Sequence, residues 1–206
     1  MSNFNRKHLD YEVAIPSHWF FFILLTAVPL LAQSDLPYAE IPDYPAAYSA
    51  ETVTARLIDG LGFRYYWATE GLRQEDLDFK PSDEARTSLE TLEHIYGLSR
   101  TVVIPLRQEP ILREDEDHSF EMLRSKTLHN LKEASELLRS GEIKLKDCPL
   151  IFQGSDRTSE YPFWNNLNGP IADALWHCGQ IVSLRRSSGN PFNSQVSLFQ
   201  GKLRGS

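Results

Sequence analysis

Cysteine is scarce in this chain of 206 residues: Cys148 and Cys178 are the whole complement. Two thiols exclude a disulfide scaffold and any zinc site built mainly from thiolates, so metal chemistry here must use imidazole and carboxylate. Positive charge is also in deficit, with 21 Lys and Arg against 28 Asp and Glu and a formal net charge of −7. The electrostatic footprint of a nucleic-acid binder is therefore missing, and no nucleic-acid partner is expected. No uninterrupted apolar run reaches the roughly 20 residues of a membrane span, so no integral membrane span is expected. Internal repeats, low-complexity tracts, Gly-rich phosphate loops, nucleophile elbows and the His-Glu-x-x-His pattern are absent too. What is present, 41% hydrophobic and 24% charged residues, is the balance of one soluble globular domain.

One segment stands apart, the fourteen residues from Trp19 to Ala32, which carry no charge. It follows Arg6, Lys7 and His8, contains Pro29, and ends in Leu31-Ala32-Gln33-Ser34 with a small residue before the expected cleavage point. Residues 1–33 read as a signal peptide, which predicts a protein exported to the periplasm or the extracellular space. Asp10 and Glu12 offset the basic residues, and the alternative is a buried or amphipathic N-terminal helix. Residues 34–48 hold Pro37, Pro42 and Pro45, a spacing that forbids helix and predicts an extended arm on the domain surface.

Residues 49–206 carry four helical patterns. In the first, Val53, Leu57, Leu61, Tyr65, Ala68 and Leu72 form an apolar stripe behind Ser49 as N-cap. Gly60 and Gly62 each cost about 1 kcal/mol of helix propensity there, so they either let another helix approach closely or leave room for a ligand. In the second, Thr87 and Glu90 have capping-box spacing ahead of Leu89, Leu92, Tyr96, Ser99, Val103 and Leu106, with Pro105 and Pro110 ending the helix. The third is expected to begin in the acidic cluster Glu114 to Asp117 and to bury Phe120, Leu123, Leu131, Ala134 and Leu138 up to Gly141. Its charged residues, Arg124 and Glu133 among them, read most simply as a solvated side. An irregular segment follows, with short β content expected at Leu150 to Phe152 and a turn at Gly154 to Arg157. The fourth helix is bounded by Asn168-Gly169-Pro170 as cap and first turn, and by Gly189-Asn190-Pro191 at its end. Four helices with one long connection between the third and fourth predict an all-α four-helix bundle.

Asp173 and His177 stand four apart on the fourth helix, one turn from each other and beside the face continued by Ile181 and Leu184. His94 lies on the apolar side of the second helix, near Gly97. A carboxylate and an imidazole removed from water must be paired, hydrogen-bonded or metal-bound. Packing the two helices together brings His94, Asp173 and His177 to one point as a ligand set for a divalent metal: zinc, nickel or iron. Such an ion lowers the pKa of a bound water or holds a thiolate. Gln180, three residues after His177, is the candidate supporting partner behind that ligand. Glu90, one turn before His94, is the candidate general base. The competing reading is an intrahelical Asp173–His177 pair with His94 a lone boundary histidine. Cys178 points about 100° away from His177 and reads as a buried small hydrophobe. Arg185 and Arg186 read either as anion-recognising groups or as capping groups.

The segment from Ile171 to Pro191, IADALWHCGQIVSLRRSSGNP, resembles the last bundle helix of the DinB/YfiT-like superfamily, and Thr87 to His94, TSLETLEH, resembles its second helix. The resemblance covers about Ser49 to Pro191. It implies a four-helix bundle holding a divalent metal through three side chains, in a superfamily that includes thiol-dependent transferases and isomerases. By position His94 and His177 take two histidine-ligand places, while Asp173 stands where the superfamily usually has another histidine. The expected function is an exported metal-dependent hydrolase or thiol-dependent transferase acting on a small-molecule substrate, and export favours hydrolysis because cytosolic thiols are absent there. The alternative is a non-catalytic bundle that binds a ligand or partner, with a structural or vestigial metal site. Bundles of this kind often pair through helix faces, which admits a homodimer.

Overall fold

The computed structural model describes residues 36–113 and 116–205. The segment read as a signal peptide lies outside the described residues, as do Glu114 and Asp115 of the acidic cluster. Helix α1 (Ala50–Thr69) opens on Ser49, whose hydroxyl accepts the Thr52 N–H at 3.2 Å while the Thr52 hydroxyl accepts the Ser49 N–H at 2.8 Å. Two otherwise orphaned donors are thereby satisfied. Its buried face runs through Ala55, Ile58, Leu61, Tyr65 and Ala68, whereas Val53 and Leu57 are exposed. The stripe expected from sequence turns out of the core at its N-terminal end because each four-residue step advances about 400°, so repeated steps of four drift about 40° around the helix.

A single turn, α2 (Gln74–Leu77), leads to α3 (Ser88–Val103). The Thr87 hydroxyl accepts the Glu90 N–H at 3.1 Å, and the Glu90 carboxylate accepts the Thr87 N–H at 2.7 Å. Pro105 tightens the end of α3 into a 3₁₀ turn, Ile104–Arg107. Helix α4 (Phe120–Arg139) starts one residue after Ser119, whose hydroxyl caps it, so the acidic cluster precedes the helix instead of forming its first turn. Leu123, Leu128, Leu131, Ala134 and Leu138 line its buried face. The connection that follows carries an antiparallel hairpin, β1 (Leu150–Gln153) with β2 (Thr158–Tyr161), in the register Leu150↔Tyr161 to Gln153↔Thr158.

The last helix differs from expectation at its start. Helical backbone begins at α5 (Trp164–Asn166), passes through a π-helical turn, Leu167–Ile171, and continues as α6 (Ala172–Ser187). Pro170 therefore lies inside the helix, not in its first turn. A proline has no N–H to donate and crowds the carbonyl one turn back, and the wider π turn accommodates both defects. Asn166, fully buried in this stretch, donates its Nδ2–H to the Thr101 carbonyl at 3.1 Å and so ties the π turn to α3.

Helices α1 and α3 each pack against both α4 and α6. The fold is predominantly helical, in keeping with the all-α expectation, with two small antiparallel ladders added; the second pairs β3 (Val196–Ser197) with β4 (Lys202–Leu203). Among the described residues no helix is long and apolar enough to cross a membrane.

The Pro-rich arm is anchored between Tyr38 and Pro42. Trp67 Nε1–H donates to the Ala39 carbonyl at 3.0 Å, Arg56 to the Pro42 carbonyl at 2.6 Å, and the Ile41 N–H to the Gly201 carbonyl at 2.8 Å. The Tyr38 ring lies directly over Gly62, where a Cβ would stand 2.4 Å from its Cδ2. Gly62 is thus a notch for the arm, so what approaches it closely is a ring from residue 38 and not another helix. Beneath the ring, the fully buried Asp59 accepts the Tyr38 hydroxyl at 3.2 Å and pairs with Arg139. Burial first, and then the Asp59 charge, push the Tyr38 phenol well above its ordinary value.

Candidate metal centre

The packing of α3 on α6 places His94 opposite the first two turns of α6, immediately after the π turn. His94 Nε2 stands 3.1 Å from Asp173 Oδ2, and His177 Nε2 stands 3.3 Å from Asp173 Oδ1. The two imidazole rings meet edge to face with centroids 4.8 Å apart. One ligand atom from each of the three residues lies within 4.8 Å of the other two. The group opens to solvent on one side: the His94 and Asp173 side chains are 36% and 38% exposed, against 15% for His177.

Gln180 completes the arrangement. Its Oε1 lies 2.6 Å from His177 Nδ1, one turn along α6, and accepts that nitrogen's proton. Nε2 of the same ring faces the carboxylate of Asp173. A hydrogen-bonded Nδ1 is the usual way to aim Nε2 at a metal. Two imidazole nitrogens and a carboxylate oxygen on an open-sided group are a donor set that zinc, nickel and ferrous iron accept. Asp173 reaches both histidines, so His94 is not a lone boundary residue.

Glu90 is not brought into this group. Its carboxylate holds the Thr87 N–H, and that hydrogen bond, the largest cause, keeps it below its ordinary value. Cys178 is buried in the core and burial pushes its thiol up to about 12, a poor position for a thiolate ligand. Cys148 is buried as well, and both cysteines are free thiols. Tyr65 is fully buried, while His129 faces solvent and bonds the Ser125 carbonyl of its own helix at 2.8 Å. His118 stacks against Tyr96 with centroids 5.1 Å apart. The solvated side of α4 is only partly so: Arg124 pairs with Glu70, and Glu133 accepts two bonds from Arg107.

Arg185 has a role that periodicity did not reveal. It is 4% exposed, and its Nη1 donates to the carbonyls of Trp67, Ala68 and Glu70 at 3.2, 3.0 and 3.0 Å. It caps the C-terminus of α1 from another helix, which satisfies orphaned carbonyls at the negative end of the helix dipole. Its Nε and Nη2 both bond Asn190 at 3.0 Å, and Asn190 Nδ2 donates to the buried Asp76 at 2.7 Å. Paired with Arg73 and bonded by Ser188 and Asn190, the Asp76 carboxyl lies well below its ordinary value. The only sequence signal for this knot is the run Arg185 to Asn190 at a helix end.

Beside the metal group lies a cleft of about 720 Å³. His177, Gln180, Ser183 and Ser187 line it along α6, and Pro81, Ala85 and Arg86 face them from the segment before α3. Comparison with protein-family models, with curated proteins and with solved structures returns no match.

Proposed function

We propose that the chain is an exported DinB/YfiT-like four-helix bundle that binds a divalent metal and acts on a small molecule as a hydrolase or thiol-dependent transferase. The observation that carries this reading is the convergence of His94, Asp173 and His177 with Gln180 behind His177. Those three side chains would hold the ion, and a divalent ion there supplies Lewis acidity, which lowers the pKa of a bound water or thiol. Gln180 keeps the Nδ1 proton of His177 and so holds the ring in one tautomer and one orientation. Asp173 spans the two histidines and supplies the negative charge that a dication needs beside two neutral imidazoles. The solvent-facing side of the group leaves room for a reactant, and the adjoining cleft supplies walls to orient it.

The test is elemental analysis of the protein purified without nickel resin or chelator, alongside His94→Ala and His177→Ala, with circular dichroism confirming that each variant is folded. About one metal per chain, lost in both folded variants, is the expected result. A wild type that takes up no zinc, nickel or iron on reconstitution overturns the metalloenzyme reading and leaves a ligand- or partner-binding bundle.

A further inference from the structure

The cleft beside His177 has a chemical character that narrows what can occupy it. Its α6 wall runs from His177 through Gln180, Ser183 and Leu184 to Ser187, successive positions on one helical face about 15 Å long. Trp176 stands at the His177 end and is 71% exposed, an indole left largely in water next to the metal group. Arg86 is the one charged side chain in the lining. Among the described residues it makes no hydrogen bond or ion pair. Its acidic neighbour Glu90, whose carboxyl feels the Arg86 charge only weakly, is committed to the Thr87 N–H. In a chain of net charge −7, an uncommitted guanidinium on a wall that mixes apolar Pro81, Ala85, Leu184 and Trp176 with neutral polar Thr91, Gln180, Ser183 and Ser187 favours a ligand that is amphipathic along its length and anionic at one point.

We infer that the substrate of this site is an elongated amphipathic monoanion, whose carboxylate is gripped by Arg86 and whose aromatic or alkyl body lies against Trp176. The inference rests on the reading of His94, Asp173 and His177 as the metal group, since the far end of the ligand is the end presented to it. A single planar guanidinium matches a carboxylate in charge and in bidentate geometry. Trp176 contributes apolar area at little cost in conformational freedom, because its ring turns about two bonds only. Arg86 and Trp176 are specificity-determining residues under this assignment. Neither is a ligand of the metal.

The test is calorimetric titration of the full chain with 4-phenylbutyrate and, as its neutral counterpart, 4-phenylbutyramide, in zinc-loaded and chelator-stripped protein. The acid is expected to bind roughly tenfold more tightly than the amide in both metal states, the scale of one charge-assisted bidentate contact. Arg86→Gln should abolish that preference, and Trp176→Ala should weaken both probes alike and leave their ratio unchanged. A preference that requires zinc and survives Arg86→Gln places the anion on the metal and overturns the inference. Equal binding of acid and amide, or binding of neither, also overturns it. If the protein takes up no zinc yet keeps an Arg86-dependent preference, the metalloenzyme reading fails while the assignment of the cleft stands.

Discussion

Replacing Gly62 by alanine should destabilise the protein even though alanine is the better helix former. The new Cβ would lie 2.4, 2.5 and 2.7 Å from three ring carbons of Tyr38, so the ring must leave its notch. Displacing a buried aromatic side chain costs about 1.5–3 kcal/mol. Losing the Tyr38 hydroxyl from the buried Asp59 costs about a further 1.5–3 kcal/mol, because the acceptor is charged. The gain in helix propensity returns about 1 kcal/mol, which leaves a net loss of about 2–5 kcal/mol, read from urea unfolding followed by circular dichroism. In a Tyr38→Ala background the notch is empty, and the same change should stabilise by up to about 1 kcal/mol. Gly60 is the internal control, since a Cβ there meets only the Arg64 Nη1 atom, at 3.2 Å and at the end of a flexible side chain. A Gly62→Ala cost that is equal in both backgrounds would refute the account of the arm as seated on this glycine.

Gln180→Leu removes the acceptor for His177 Nδ1 and should lower metal affinity by about 10–100-fold with little change in unfolding midpoint; a competition titration against a chromophoric chelator measures it, and unaltered affinity would remove Gln180 from the site. Arg185→Met leaves the carbonyls of Trp67, Ala68 and Glu70, and Asn190, without their donor and should cost about 3 kcal/mol or more in denaturant unfolding. A loss below about 1 kcal/mol, the scale of an ordinary surface substitution, would show that the knot is not stabilising. The Asp76 carboxyl, held chiefly by Arg73 and then by Ser188 and Asn190, is depressed in the folded state. Its contribution is therefore fully present above the ordinary carboxyl value of 3.8 and is lost as pH falls below that value toward the depressed one. Asp76→Asn should lower stability at neutral pH and flatten its decline between about pH 4 and 2. An unchanged acid limb would count against this assignment.

Helix boundaries that depend on neighbouring residues were legible in the chain. Ser49, and Thr87 with Glu90, cap α1 and α3 through side chains that reach only three residues along the backbone, so the pattern and the bond are one fact. The start of the last helix was not legible in this way. Proline normally marks a first turn, and only the packing of Asn166 on the Thr101 carbonyl accompanies a helix that passes through Pro170 by widening to a π turn. The exposed Val53 and Leu57 make a similar point, since apolar spacing shows that a helix is amphipathic but not which side of a broad stripe its neighbours will cover.

The candidate site divides along the same line. By itself the sequence determined that Asp173, His177 and Gln180 share one helical face, because the helical period places residues three and four apart side by side. It could name His94 as a companion, but the 3.1 Å approach of His94 Nε2 to Asp173 depends on how α3 lies against α6. The tertiary structure alone decided that Arg185 serves a different helix's carbonyls and that Gly62 receives a ring from residue 38. Local periodicity fixes direction around one helix. Groups brought together from 20 to 120 residues apart are set by the packing of several elements at once, which no single stretch of sequence encodes.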